Sequence, residues 1–307
     1  MTDRIPFRVR PMLATLVPKP FDRPGWVYEE KYDGYRILAY KEGERVRLLS
    51  RNANDRTAVY RQVAAAVGAL SSRTLLLDGE VVAFDRKGVS RFQLLQQGTA
   101  SPAYALFDCL YANGRDLRHE PLEVRRAALE AALHAHLPLF LARRLAKNGV
   151  AAYEQAKRKG YEGLVAKDAA SPYVEKRSTK WLKVKVHQEE EFLIVGYTPP
   201  EGSRSRFGAL LLGANDRGRL RYVGKVGTGF SERSLATLFR AFQPLVRKTS
   251  SLVDPPRERG VTYLTPRLVA QVAFEEWTAD GKLRQPVFLG LRDDKKPEEV
   301  VLPEAPG

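Results

Sequence analysis

Residues 31–50 read KYDGYRILAYKEGERVRLLS, and the rest of the chain is best understood outward from them. From Arg36 to Ser50, apolar residues run along two stretches separated by Glu42-Gly43, the pattern of a β-hairpin turning at a glycine. Immediately ahead stand Lys31, Asp33, Gly34 and Arg36. A nucleophilic lysine must be neutral, yet at an ordinary pKa only about one side chain in 2,500 is neutral at pH 7. Its surroundings would have to supply roughly 4–5 kcal/mol against the ammonium. Burial and neighbouring cations both push that way. Gly34 lets the backbone pass close to a ligand, and Arg36 offers a fork to ribose or phosphate oxygens.

Around this run the chain alternates between two periodicities. TLLLDGEVVAF (74–84), PAYALFDCLY (102–111) and WLKVKV (181–186) read as strands. TAVYRQVAAAVGAL (57–70) repeats its apolar residues at Val59, Val63 and Val67, a helical spacing. EVRRAALEAALHAH (123–136) and AAYEQAKRKG (151–160) are further helices, the last ending at Gly160 as a C-cap. Mixed strands and helices over residues 1–187 predict an α+β domain. After VHQEEE (186–191) the character changes. EFLIVGYTPP, FGALLLGA, RLRYVGKVGTGF and VAQVAFEEWTADGKLRQPVFLGL are strand-like, and one helix, SERSLATLFRAFQPLV (231–246), interrupts them. About five strands with one inserted helix predict an OB-fold β-barrel over residues 188–307. No internal repeat or low-complexity segment occurs.

Composition narrows the partners. The 307 residues are 44% hydrophobic, enough for two cores, and no 18-residue apolar stretch can span a membrane. The start, MTDRIPFRVRP, has no apolar core of a secretory signal. A single cysteine, Cys109, fits a reducing cytoplasm and reads as a buried small hydrophobe. The four histidines (His119, His134, His136 and His187) lack zinc spacing, so any metal would be a hard, oxygen-bound ion such as magnesium. The net charge of +15 points to a polyanion. It is concentrated in residues 1–187, with 33 Lys and Arg against 20 Asp and Glu, whereas 188–307 hold 18 against 16.

Five more motifs follow Lys31-Tyr-Asp-Gly-Tyr-Arg36. They are Leu77-Asp-Gly-Glu80, Phe107-Asp108, Glu162-Gly-Leu-Val-Ala-Lys167, Trp181-Leu-Lys183-Val-Lys185 and Arg292-Asp-Asp294-Lys295. In kind and order they resemble the covalent nucleotidyltransferase superfamily of DNA ligases, RNA ligases and mRNA capping enzymes. The resemblance narrows in the second half. GYTPPEGSRSRFGALLLGA, RYVGKVGTGF and VFLGLRDDKKPEEV are similar to the ATP-dependent ligase module of bacterial non-homologous end-joining ligases, as is PMLATLVPKPFDRPGW before Lys31.

The resemblance implies a set of roles. Lys31 would carry AMP taken from ATP and pass it to the 5′-phosphate of nicked or broken double-stranded DNA. Glu162 would hold magnesium, with Glu80 on ribose or a second metal. Phe107 would stack on adenine, and Glu29 would meet its amino group. Lys183 and Lys185, two apart on a strand, share a face and would grip the α-phosphate. Arg51, in Leu49-Ser-Arg-Asn52, would face the 5′-phosphate side. Arg292, Asp294 and Lys295 would act in the first step, with a hinge near His187–Glu190. The family commonly has glycine where Ala53 stands, which puts the turn after Arg51 in question. A stand-alone monomer is expected, with the Ku end-binding protein and a separate repair polymerase as candidate partners and a bacterial, nucleoid-associated setting. An RNA ligase, a capping-type enzyme or a catalytically silent DNA-binding scaffold are the alternative readings.

Overall fold

The computed structural model describes residues 5–133, 138–186, 188–200 and 206–302. Two compact units divide the chain, Met1–Val186 and His187–Gly307.

The first unit contains two sheets. In chain order its elements are β1 (Leu13–Leu16), β2 (Trp26–Lys31), β3 (Tyr35–Glu42), β4 (Arg45–Ser50), α1 (Arg61–Gly68), β5 (Thr74–Val82) and α2 (Phe92–Gln97). There follow β6 (Ala103–Ala112), β7 (Arg115–Asp116), α3 (Leu122–Ala132), β8 (Leu139–Leu141), α4 (Gly149–Lys159), β9 (Gly163–Asp168) and β10 (Arg177–Lys185). The hairpin read from residues 36–50 is β3–β4, with Glu42 opposite Arg45 across a Gly43-Glu44 turn. It opens a six-stranded sheet of order β4-β3-β5-β6-β7, to which β8 adds parallel to β6. The second sheet has the order β1-β10-β9-β2.

Strand alternation sends each sheet's side chains to two cores. Ile37, Leu77, Tyr104 and Leu106 join Val63 and Val67 of α1 and Leu129 of α3 on one face of the large sheet. Leu38, Leu76, Ala105 and Phe107, from the other face, meet Met12, Tyr173 and Trp181 between the sheets. Ala152 and Ala156 of α4 pack behind the small sheet on Leu164, Ala166 and Val184. Val59, expected on the apolar stripe of the first helix, instead precedes α1 and is exposed.

One segment ties the two sheets together. β8 pairs with β6, and the next residues run along β2: the Glu30 amide donates to Arg143 O and the Leu145 amide to Tyr28 O. The free edge of β2 is thereby covered.

The second unit is mostly sheet, as the OB-fold reading expects. It comprises β11 (Gln188–Tyr197), β12 (Leu210–Asp216), β13 (Arg219–Val226), α5 (Glu232–Phe242), β14 (Val246–Arg247), β15 (Thr262–Leu264), β16 (Val269–Phe274) and β17 (Val287–Leu291). β11 is the spine and pairs with β12, β15 and β16. Ser231 and Ser234 close a reciprocal capping box on α5, whose Leu235, Leu238 and Phe242 enter the core. Among the described residues seven strands stand where about five were expected, because β14 and β15 are two and three residues long.

Candidate functional site

Register assembles the site in the first unit. Lys31 of β2 stands opposite Gly163 of β9, and Gly163 opposite Lys185 of β10. The next row is Glu29, Val165 and Lys183, and the next Val27, Lys167 and Trp181. Directly opposed residues of antiparallel strands share a face, so Glu29, Lys31, Lys167, Lys183 and Lys185 look the same way. A Cβ at Gly163 would lie 2.1 Å from Val184 O, so only glycine permits β9 to begin in this place. The large sheet supplies the opposing wall. Arg36 and Glu80 are cross-strand partners, Asp78 lies two residues from Glu80, and Phe107 packs edge-on to Trp181 at 6.0 Å.

Lys31 is largely buried and ion-paired with Glu162. Burial alone would lower its pKa, but the charge and hydrogen bond of Glu162, helped by Asp33 and Glu80, outweigh it. The lysine is held above its ordinary value. This corrects the expectation that its surroundings favour the neutral amine: its ion-pair partner is a carboxylate. The other oxygen of Glu162, Oε2, is buried without a hydrogen-bond partner.

Glu29 is 3% exposed and doubly held, Oε1 accepting from Arg126 Nη1 at 3.1 Å and Oε2 from Lys167 Nζ at 2.6 Å. Lys167 Nζ also lies 4.3 Å from the Phe107 ring centroid and 4.2 Å from that of Trp181. Burial lowers its pKa against the pull of Glu29. Arg36, expected to reach ribose or phosphate, turns its fork onto Asp78 at 2.5 and 2.6 Å and lies 4.6 Å from the Phe107 centroid. Phe107 is thus flanked by two cations and buried, and adenine would have to join that packing. Arg51 follows β4 in a turn where Ala53 takes φ 60° and donates to Ser50 O at 2.8 Å. Alanine adopts the left-handed conformation that glycine usually supplies.

Arg126 was not among the residues singled out from sequence. A signal existed: Leu122, Arg125, Arg126 and Leu129 recur on one helical face, which places two arginines on an apolar stripe. Both are buried, Arg125 on Asp108 at 2.8 and 2.9 Å. Arg144 was also passed over. It bridges to Glu29 as an antiparallel partner, so it borders the site face and is exposed.

In the second unit, taken by itself, Arg292 makes a two-pronged bond to Asp294, both arms 2.8 Å, and a third to Gln271 Oε1 at 2.9 Å. Lys295 Nζ lies 3.2 Å from Glu191 Oε1. Asp294 is buried, which would raise its pKa, but the bonds from Arg292 overcome this and lower it. The expected hinge falls partly outside the described residues, at His187, and partly in β11.

The family described as "ATP dependent DNA ligase domain" matches residues 11–185, and "ATP dependent DNA ligase C terminal region" matches 203–295. A curated relative, the multifunctional non-homologous end joining protein LigD of Pseudomonas aeruginosa, is 41% identical over 96% of this chain and 37% of its own length. The chain spans little more than a third of that relative. Among solved structures, a mycobacterial DNA ligase D complexed with ATP and MES aligns over 97% of this chain and 99% of its own, at 36% identity and a TM-score of 0.75. The ligase domain of Mycobacterium tuberculosis LigD covers 97% of this chain and 100% of its own, at 37% identity and a TM-score of 0.56. With motif order, sheet register and both family matches in agreement, the chain belongs to the ATP-dependent DNA ligases.

Proposed function

We propose that this chain seals breaks in DNA by carrying AMP on Lys31. One observation carries the reading: Lys31 shares a sheet face with Lys183 and Lys185 and is paired to a glutamate whose second oxygen has no partner. Lys31 Nζ attacks the α-phosphorus of ATP, the bond to the β-phosphate oxygen breaks, and pyrophosphate leaves. Lys183 and Lys185 stabilise the charge on the α-phosphate. A 5′-phosphate of DNA then displaces the lysine, and a 3′-hydroxyl displaces AMP to close the strand. Glu29, steered by Arg126 and Lys167, presents a carboxylate to the adenine amino group, and Phe107 packs on the ring. Arg51 faces the 5′-phosphate side.

Before the first displacement Glu162 must loosen its hold on Lys31 and the ammonium must release a proton to solvent, since only the free amine is a nucleophile. The bare oxygen of Glu162 fits a hard divalent cation, magnesium or manganese, with Glu80 as a second carboxylate; such an ion would neutralise phosphate charge. Among the described residues no group of three His, Cys, Asp or Glu could enclose a metal, so phosphate and water oxygens would complete its shell. Arg292 and Lys295 act on the departing pyrophosphate, and Asp294 orients the Arg292 fork. The resemblance to LigD supports a role in end joining, and to it we add a Ku end-binding protein and a separate polymerase as partners of a monomer on the bacterial nucleoid in the cytoplasm.

The test is a pulse and chase. Incubation with magnesium and α-labelled ATP should leave an acid-labile label on denatured protein, GTP should not, and nicked DNA should remove it. Lys31→Ala should take no label; full labelling of that variant overturns the assignment.

A further inference from the structure

The last turn of α4 carries Lys157, Arg158 and Lys159 in succession, all exposed. Among the described residues, none of the three is engaged in an ion pair, and Glu154 is the helix's one carboxylate. Gly160 ends the helix in a left-handed cap, and two residues later the chain reaches Glu162 and then Gly163, the cross-strand partner of Lys31. Arg143 arrives at the same edge from the other side. Its carbonyl accepts from the Glu30 amide, and its guanidinium donates to Glu30 Oε2 at 2.6 Å and to the Tyr161 hydroxyl. Nearly half of its side chain is still open to solvent. Four cations therefore line the rim of the small sheet at the end where Lys31 stands.

Two bland explanations fall short. Cations favour a helix C-terminus, but the dipole acts through the end of the axis and does not require charge spread over about 200° of helical arc. Bulk solubility does not explain why Arg143 joins three helical cations at one edge of the sheet. Nor do these side chains serve the nucleotide: α4 packs behind the small sheet, on the side away from Glu29, Lys31 and the paired lysines. Their charge suits the phosphates of an extended polyanion rather than a single bound nucleotide.

We propose that the α4 rim binds the sugar-phosphate backbone of duplex DNA flanking the break, through Lys157, Arg158 and Lys159 with Arg143 at its margin. The inference rests on the proposed DNA-joining function and adds the surface that holds the substrate. It requires that the rim serve only steps involving DNA.

The test substitutes Lys157→Gln, Arg158→Gln and Lys159→Gln together, which keeps helix-forming side chains and removes three charges. Labelling of Lys31 by ATP should stay within about twofold of wild type. Affinity for a nicked duplex, measured from about 50 to 200 mM salt, should fall by tens to hundreds of fold near 0.1 M. The slope of log affinity against log salt should flatten by about 2–3, close to 0.9 for each phosphate no longer neutralised. Lys157→Arg with Lys159→Arg should bind as wild type does. An unchanged slope and affinity in the triple variant overturns the rim while leaving the DNA-joining reading intact. A wild-type chain that never binds nicked duplex and keeps its label through the chase overturns both.

Discussion

Three consecutive residues of β2 send their side chains to alternate sides, and each meets a different electrostatic setting. Glu29 lies between two cations, Lys31 lies against a carboxylate, and Glu30 points the other way into the core behind the sheet. Glu30 Oε1 is buried with no partner, and its other oxygen holds Arg143. Burial pushes its pKa up to about 7, with Arg143 and Tyr32 opposing. The folded pKa lies above the unfolded one, so the carboxyl's contribution to stability is complete below about pH 4.5 and is lost as pH rises through 7. The loss amounts to about 3 kcal/mol. Glu30→Gln should remove it: relative to wild type, the urea midpoint of the variant should be higher at pH 8 than at pH 5. An equal offset at both pH values would show that Glu30 does not titrate in this range. The residues facing the cleft were legible as motifs because each chemical type stands at a fixed spacing. Arg126 and the Lys31–Glu162 pairing were not, because they join strands and helices far apart in the chain.

At the scale of elements, long runs were legible and short ones were not. The β3–β4 hairpin, β5, β6 and β10 announce themselves through six or more residues of apolar patterning and a glycine turn. β8, β14 and β15 have two or three residues each, too few for any period, and exist because a neighbouring strand offers hydrogen bonds. The apolar spacing places the start of α1 too early because the turn around Asp55 and Thr57 holds the preceding backbone; the Thr57 amide donates to Asp55 Oδ1 at 2.8 Å. The turn after β4 shows how context overrides residue preference. Ala53 occupies the left-handed region, which costs a side-chain-bearing residue about 1–2 kcal/mol, and the Ser50–Asn54 bonds hold it there. Ala53→Gly should therefore stabilise the first unit by about 1 kcal/mol and raise its melting temperature by about 2–4 °C. A lower melting temperature would mean that glycine's unfolded-state entropy outweighs the strain.

For the molecule as a whole, the roles we propose for the two units can be separated by reaction step. Pyrophosphate exists only in the first displacement, so groups that stabilise it should matter there and little afterwards. Lys295→Ala should lower adenylylation of Lys31 by about 10²–10³. It should still close a nick supplied with AMP already on its 5′-phosphate. Equal failure on that pre-adenylylated nick would place Lys295 in the DNA grip or the barrel's structure instead. The change from mixed periodicities to short glycine-punctuated strands lies beside the division between the two units, after Val186. The covering of β2 was not legible, because its partners come from a connection and a strand much later in the chain. That arrangement bears on synthesis. Glu30 is bonded to a residue 113 positions away and Glu29 to one 138 away. A chain emerging from the ribosome exposes Lys31 early, on a strand with neither neighbour yet made. Until residues 143–168 follow, β2 has nothing to pair with, and contacts of such separation form slowly. Nascent chains cut short before that point would carry Lys31 without the strands that surround it.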